Sequence, residues 1–520
     1  MFSTAKTMTM TRRQLLATTA GLAGAALLGG SASAQAAKSQ IAVRVRRDLT
    51  VIDPAFRTGL EDAQVIRAVY QNLITFKTGS TDVVMDAAES FERVSDTEFK
   101  FKLKPGQMFS DGYGEMTAAD VKFSYERFKV AAPKGKESPY AGDWAKLKSV
   151  EVDDKYSGRI ILEAPRASLI PIALADASGG IVCKKAVEER GVEHNIKPVG
   201  SNALKVTGFE KQRQVTLERH ADYAGPKAAF EKIAVRVVQD PKTVELALRS
   251  GELDLSEVEA SLVDTIKTVE GLTIDTYPGI ANVWLGMNTI KPPFNDLRVR
   301  QAIRLALDVD QMLLAGYDGK VPRANAPIMP QVVGYWAEAP AYKRDVDKAK
   351  TLLAEAGHPD GFKAKITVLN QPAFTNMALV AQALLAEVGI TLDVDAQDGG
   401  SFWTAGKDKQ GENLDLFIIR FNGKLDPNFL IQWHTAAQIG VWNWQRWNEP
   451  KFDALLDKAS VELDAAKRAQ LIIDAQKLID ESAAYVWLTF DASFQAHRSW
   501  LNPALMASGV DWQLGRFQSA

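Results

Sequence analysis

Few side chains in this sequence have the types and spacing that acid–base or metal chemistry requires. The histidines are His194, His220, His358, His434 and His497. They are scattered, with no H-E-x-x-H or other metal-ligand spacing, and neither a P-loop nor a G-x-S-x-G motif occurs. Three aspartates within residues 393–398 resemble a calcium loop but lack its closing glutamate. The sequence therefore predicts no enzyme and no bound metal or cofactor.

Side chains suited to binding a solute are concentrated between residues 402 and 447. The candidates for an aromatic stacking wall are Phe402, Trp403, Trp442 and Trp444. Trp442 and Trp444 alternate, so an extended segment would point both in one direction. Aromatic faces of this kind stack on sugar rings, peptide side chains or cofactors. The alternative is that these rings only pack between two domains.

The polar candidates follow a buried strand that the sequence predicts over residues 414–419. They are Arg420, Asn422 and Asp426. Arg420 is a planar donor that is always charged, so a carboxylate or phosphate on a solute would suit it. Internal pairing of Arg420 with Asp415 or Asp426 is the alternative. Asp426 precedes a proline, which is also typical of a structural turn.

Alternating strands and helices must position these side chains. The second half of the sequence predicts helices over residues 296–314, 373–388 and 465–481, and apolar strands over 282–288 and 484–490. Helices of this length between buried strands are typical of an α/β architecture with mixed sheets. This pattern alone allows many α/β folds.

The composition limits the partners and the chemistry of the chain. Lysine and arginine number 62 and aspartate and glutamate 64, which gives a net charge of −2. Such a balance predicts neither nucleic acid nor an anionic membrane as a partner. Cys183 is the only cysteine, so no intramolecular disulfide can form.

The first 37 residues have the pattern of an export signal. Lys6, Arg12 and Arg13 form a basic segment, the apolar run over 15–28 follows, and small residues offer cleavage after Ala34 or Ala36. The run is too short for a membrane span, which needs roughly 20 residues. The paired arginines resemble a twin-arginine signal. We therefore expect a periplasmic protein without stable membrane insertion.

The most specific pattern lies in residues 99–128, FKFKLKPGQMFSDGYGEMTAADVKFSYERF. Its local chemistry predicts an alternating strand, a Ser-Asp-Gly turn and a helix that Thr117 and Asp120 cap. The order of residues resembles the segment F-x-L-R-x-G-V-x-F-x-D-G-x-P-x-T-A-x-D-V-x-F-S of one family. That family is the extracellular solute-binding proteins of the oligopeptide/dipeptide/nickel type (family 5), which deliver ligands to ABC importers. Residues 240–254, 292–302 and 446–453 resemble further runs of the same family.

This resemblance implies a two-lobe periplasmic-binding-protein fold of type II, in the large three-subdomain variety, with a hinge between the lobes. The first lobe would take residues 38–280 and 485–520, with an extra subdomain at about 76–204. The second lobe would take residues 281–484, and strands over 282–288 and 484–490 would cross between the lobes. Solute would bind between the lobes, and hinge closure is the expected motion.

The resemblance also implies a function. The chain would be a monomer that captures a peptide or peptide-like solute and hands it to an inner-membrane ABC permease. A non-peptide anionic solute (an opine, a sugar or its phosphodiester, or a metallophore) is the alternative, and a periplasmic hydrolase is a remote one.

One departure from the family bears on the solute. Peptide-binding members have a G-W-x-x-D-x-x-D-P-x-x-F pattern, whose first aspartate pairs with the α-ammonium of the peptide. Aligned on Asp426 and Pro427, that aspartate falls at Gly423 and the tryptophan at Arg420. The comparison implies that the amine anchor is absent from this chain.

Overall fold

The computed structural model describes residues 38–129 and 138–520. Residues Ser39–Ala520 form one compact unit. The expected export signal and residues 130–137 lie outside the described residues. Within the described ranges, no helix is both long and apolar enough to cross a membrane.

The strands of the described chain are β1 (Gln40–Val45), β2 (Ile74–Phe76), β3 (Val83–Met85), β4 (Ala88–Arg93), β5 (Glu98–Leu103), β6 (Met108–Phe109), β7 (Gly114–Glu115), β8 (Leu147–Val152), β9 (Ser157–Leu162), β10 (Leu204–Glu210), β11 (Gln214–Arg219), β12 (Lys232–Val237), β13 (Leu255–Val258), β14 (Leu272–Pro278), β15 (Ala281–Met287), β16 (Lys363–Leu369), β17 (Thr391–Gln397), β18 (Leu416–Asn422), β19 (Tyr485–Thr489), β20 (Ala492–Arg498), β21 (Leu501–Asn502) and β22 (Gln518–Ser519). The α-helices are α1 (Leu60–Val69), α2 (Ala118–Glu126), α3 (Lys184–Arg190), α4 (Pro241–Ser250), α5 (Val263–Lys267), α6 (Leu297–Ala306), α7 (Val309–Tyr317), α8 (Val346–Glu355), α9 (Pro372–Ala386), α10 (Gly399–Ala405), α11 (Pro427–Ile431), α12 (Pro450–Val461) and α13 (Ala465–Glu481).

Two mixed sheets dominate the molecule. The larger has seven strands in the order β10-β11-β12-β1-β13-β20-β14, and β1 runs parallel to both of its neighbours. The other has five strands in the order β17-β16-β18-β15-β19. In this sheet β16 runs parallel to β17 and β18, whereas β15 is antiparallel to β18 and β19. Mixed sheets covered by helices agree with the predicted α/β class.

The segment over residues 99–128 lies in a smaller, four-stranded sheet with the order β4-β5-β9-β8. Phe99, Phe101 and Leu103 of β5 point into its core, as the alternating pattern predicts. Thr117 and Asp120 form the predicted capping box at the start of α2. This segment is part of the scaffold.

Side chains alternate across the five-stranded sheet and separate two cores. Leu416 and Ile418 of β18 pack with helices α6, α7 and α9 on one face. Phe417 and Ile419 pack with helices α12 and α13 on the other face. Phe421 continues this second row, because side chains two residues apart share a face of a strand. Arg420 therefore lies on the same face of β18 as Leu416 and Ile418. The aromatic residues described below lie on the face of Phe417 and Ile419.

Two sequence predictions for the elements need correction. The helix predicted over 296–314 is two helices, because Asp308 leaves the helical conformation and caps α7 through the amide of Gln311. The strands predicted over 282–288 and 484–490 are present as β15 and β19, but both belong wholly to the five-stranded sheet. The chain passes between the large sheets at residues 279–280 and 490–491 instead.

Candidate functional site

Five partly buried aromatic rings form a continuous surface beside the end of β18, which we call the aromatic wall. Its members are Trp403, Phe421, Phe429, Trp433 and Trp442. Phe421 lies at the centre, with ring centroids 5.6 Å from Trp442, 6.3 Å from Trp433 and 6.5 Å from Trp403. Phe429 extends the wall, edge-on to Trp433 at 5.5 Å. The wall offers both faces and edges of rings to an apolar or aromatic group.

Short elements hold the wall in place. Trp403 stands on α10, whose first turn is capped by Asp398 through the amides of Gly400 and Ser401. The loop that carries Trp442 is held by the buried side chain of Asn443. The amide nitrogen of Asn443 donates to the carbonyls of His434 and Trp447 at 3.0 and 2.8 Å. The wall is therefore fixed by hydrogen bonds that reach across its own loop.

Two of the predicted aromatic contacts lie behind the wall. Phe402 is 1% exposed and Trp444 is fully buried, and both pack in the core beside Phe417. The alternation of Trp442 and Trp444 does not place them side by side, because this segment is a turn and not a strand. Phe402 and Trp444 therefore lie in the core and pack against Trp403, whereas the sequence predicted them as contacts of a solute.

The sequence reasoning missed Phe421, Phe429 and Trp433 as members of the wall. Phe421 could have been found from the pattern of β18, because it continues the row of Phe417 and Ile419 on one face. Phe429 and Trp433 depend on the path of α11 and the turn after it, which the sequence did not predict.

Arg420 does not join the wall. Its Nε donates to Asp491 Oδ2 at 2.7 Å and its Nη1 to Asn422 Oδ1 at 2.5 Å. Burial lowers the pKa of Arg420, but the carboxylate of Asp491 outweighs this effect, so the pKa lies above its ordinary value. Internal pairing was expected with Asp415 or Asp426, and both of those partners are wrong. Asp415 pairs with Lys291 at 2.5 Å and Asp426 with Arg468 at 2.7 Å.

Asp426 is a structural residue. Its side chain is buried, caps α11 through the amide of Phe429 at 3.1 Å, and accepts from Arg468 Nη2 at 2.7 Å. Both of its carboxylate oxygens are therefore engaged within the chain. Asn422 is exposed and accepts from Arg420.

The loop between β18 and α11 leaves no room for a side chain at position 423. A Cβ atom on Gly423 would overlap the carbonyl oxygen of Ile280 and a methyl group of Leu430. An aspartate could stand there only if the loop or the segment before β15 moved.

Lys424 makes an ionic contact between the five-stranded sheet and the region around the four-stranded sheet. Its Nζ lies 3.3 Å from Asp143 Oδ2 and 3.2 Å from Asp176 Oδ2. The ring of Phe429 lies 5.5 Å from the same nitrogen and that of Tyr140 lies 6.0 Å away. Phe429 belongs to the aromatic wall, so the ammonium group sits at the end of the wall.

The two aspartates have further cationic partners. Asp143 lies 3.5 Å from Arg57, and Asp176 lies 2.6 Å from Arg67, which also pairs with Asp511 at 2.9 Å. Burial raises the pKa of Asp176, but the positive charges of Lys424, Arg67 and Arg57 outweigh this effect. The pKa of Asp176 is therefore well below its ordinary value. Asp176 is thus charged at neutral pH, and Lys424 contributes to keeping it so.

Two other contacts close the same interface. The amide of Ala167 donates to the carbonyl of Ser460 at the end of α12, at 2.9 Å. Leu425 packs against a small apolar cluster that includes Phe76 and Met506. The aromatic wall and Lys424 therefore lie where two parts of the molecule meet. Within residues 38–129 and 138–520, no group of three His, Cys, Asp or Glu side chains is arranged to hold a metal ion.

Comparison with known proteins identifies relatives along almost the whole described chain. The family model described as bacterial extracellular solute-binding proteins, family 5 Middle, matches residues 82–440. A probable D,D-dipeptide-binding periplasmic protein, DdpA of Escherichia coli, is 26% identical over 89% of this chain and 90% of its own length. The structure of DppA from Helicobacter pylori in complex with the peptide STSA has a TM-score of 0.76 and 28% identity, and covers 92% of this chain and 98% of its own. The structure of MoaA with mannopinic acid, from A. tumefaciens R10, has a TM-score of 0.74 and 27% identity, and covers 93% and 100%.

Proposed function

The chain belongs to the bacterial extracellular solute-binding proteins of family 5, and from this premise we propose that it captures a peptide or peptide-like solute for an ABC importer in the inner membrane. The relatives named above include periplasmic proteins that bind dipeptides or a peptide. The observation that carries the proposal is the aromatic wall at the interface with Lys424 at its end. Apolar side chains of a short peptide would pack on the wall, and its backbone would supply hydrogen-bonding groups.

We propose that the two large sheets form the cores of two lobes that close around the solute. Within residues 38–129 and 138–520, the chain passes between the sheets at two short segments, residues 279–280 and 490–491, which suits a hinge. On this basis the second lobe extends to about residue 490, beyond the boundary at 484 that the sequence suggests. We also expect a monomer that returns its solute unchanged, as a binding protein does and a hydrolase does not.

Mass spectrometry of solute released from the purified protein by denaturation tests the proposed function. We expect a small molecule with at least one peptide bond, which rebinds when it is returned to the emptied protein. Isothermal titration calorimetry measures that rebinding, and recovery of the intact solute excludes turnover. A solute without any peptide bond, such as an opine, would contradict the peptide assignment, and a hydrolysed one would contradict the binding role.

We further propose that the precursor is exported by the twin-arginine route. Arg12 and Arg13 stand directly before an apolar run, as such signals require. Changing both to lysine should leave the precursor uncleaved in the cytoplasm, as immunoblots of cell fractions would reveal. Unchanged export would indicate an ordinary secretory signal.

A further inference from the structure

We infer that Lys424 makes this protein select solutes that lack a free α-ammonium group. The inference rests on the proposed capture of a peptide-like solute. It specifies in addition that the amino end of this solute carries no charge. Its basis is that the chain itself places an ammonium group between two carboxylates at the end of the aromatic wall. A free amino terminus of a solute at this end of the wall would therefore meet two carboxylates that are already paired with Lys424.

The charge cluster around Lys424 contains one more cation than carboxylates. The cluster has three carboxylates, those of Asp143, Asp176 and Asp511, and two arginines, Arg57 and Arg67, in direct ion pairs with them. Lys424 lies 3.2–3.3 Å from Asp143 and Asp176. Arg166 donates to the carbonyl of Gly142 and the hydroxyl of Ser168, and its positive charge also acts on Asp143. The ammonium group of a solute in the same place would add to an existing excess of positive charge.

The other carboxylates on the elements that carry the wall are already engaged. Asp398 caps α10, and Asp426 is held by Arg468 and by the first turn of α11. Asp491 is held by Arg420 on the opposite face of β18. Position 423 has no space for a carboxylate of its own. A free ammonium group that approached Asp426 or Asp491 would therefore have to displace an existing ion pair, and one that approached position 423 would find no counter-ion.

This arrangement favours an amino end that carries no charge. Burying an ammonium group without a counter-ion is strongly unfavourable, and the positive charge of Lys424 nearby adds repulsion. An acylated nitrogen avoids both penalties, because an amide is neutral and still donates a hydrogen bond. Its acyl group would also add apolar surface for the rings of the wall. The favoured solute is thus a peptide-like molecule whose amino terminus is blocked.

The first test compares matched ligands on the unaltered protein. A panel of dipeptides with one aromatic residue is titrated with free and with N-acetylated amino ends, by calorimetry. We expect the acetylated members to bind at least about ten-fold more tightly, a difference that corresponds to one lost charge interaction. A preference for the free amine would overturn the inference while leaving the proposed function intact. If neither the free nor the acetylated dipeptides bind, and the co-purified solute has no peptide bond, the proposed function itself is contradicted.

The second test removes the internal ammonium. In Lys424→Met, Asp143 and Asp176 lose their cation from the facing region, so a free amino terminus can replace it. We expect affinity for the free-amine dipeptides to rise at least about ten-fold relative to the unaltered protein. Lys424→Gln, which keeps polarity without charge, provides a second variant if the first folds poorly. No gain for free amines in either folded variant would overturn the inference.

Lys320 provides a matched control for this change. Its Nζ lies between Asp264 at 3.0 Å and Asp318 at 3.5 Å, and its side chain is 20% exposed, close to the 17% of Lys424. Lys320→Met thus removes a comparably exposed lysine from a pair of aspartates away from the wall, although these aspartates are themselves more exposed, at 75% and 54%. It should leave the preference between free and acetylated amines unchanged. A similar gain in Lys320→Met would show that the effect is a general loosening, and this too would contradict the role of Lys424.

Discussion

Arg420 illustrates what a single residue can and cannot reveal in a sequence. Its type and its place at the end of a buried strand suggested an anchor for a solute anion. Its partner, Asp491, lies 71 positions further along the chain, so nothing local could identify it. Lys424 was missed for the same reason, since Asp143 lies 281 positions away. Of the five wall residues the sequence identified Trp403 and Trp442, because both are large aromatic residues in the segment that departs from the family pattern.

The ion pair of Arg420 predicts a structural effect of its removal. Arg420→Ala leaves the carboxylate of Asp491, which is 15% exposed, without its cation at the passage between the large sheets. We expect a loss of about 1–3 kcal/mol in the free energy of unfolding, measured by urea denaturation. As a control, Arg213→Ala removes a surface arginine that is 75% exposed and should cost less than about 1 kcal/mol. Unchanged stability together with a ten-fold loss of solute affinity would instead identify Arg420 as a solute contact.

At the scale of helices and strands, capping residues define where several helices begin. Helices α4, α8 and α13 each begin after an aspartate whose carboxylate accepts from the backbone amide three residues on. The break between α6 and α7 was missed, although Asp308 and Gln311 have the spacing of a capping box. The apolar face over residues 299–314 continues across this capping signal, so the sequence predicted a single helix.

Helix α11 positions Phe429 of the wall and depends on Asp426. Asp426→Ala would remove the cap of this short helix and leave Arg468, whose side chain is 9% exposed, without its carboxylate. We expect a loss of about 3 kcal/mol or more in the free energy of unfolding, as for other broken buried ion pairs. The control is Asp464→Ala, which removes only the cap of α13 and should cost about 1 kcal/mol. Equal losses in the two variants, measured by urea denaturation, would contradict this account of Asp426.

At the scale of the whole molecule, the two passages between the large sheets run side by side. The amide of Gly279 donates to the carbonyl of Asp491 at 3.3 Å, and that of Ala281 donates to Phe490 at 3.2 Å. The sequence predicted two crossing strands near these positions, but it could not show that β15 and β19 stay within one sheet. Strand membership depends on pairing partners hundreds of residues apart. The apolar pattern of a strand is the same in either sheet.

Gly279 allows this close approach of the two passages. A Cβ atom here would overlap the carbonyl oxygen of Phe490 and lie 2.7 Å from the carbonyl group of Asp491. Gly279→Ala should therefore push the passages apart, at a cost of about 1–3 kcal/mol for a clash in a packed region. If the passages form the hinge, the change should also alter the compaction that solute causes, measured as the radius of gyration by small-angle X-ray scattering. Gly399→Ala is the control, because a Cβ atom at position 399 meets nothing within 4 Å. Normal stability and normal compaction of Gly279→Ala would place the hinge elsewhere in the molecule.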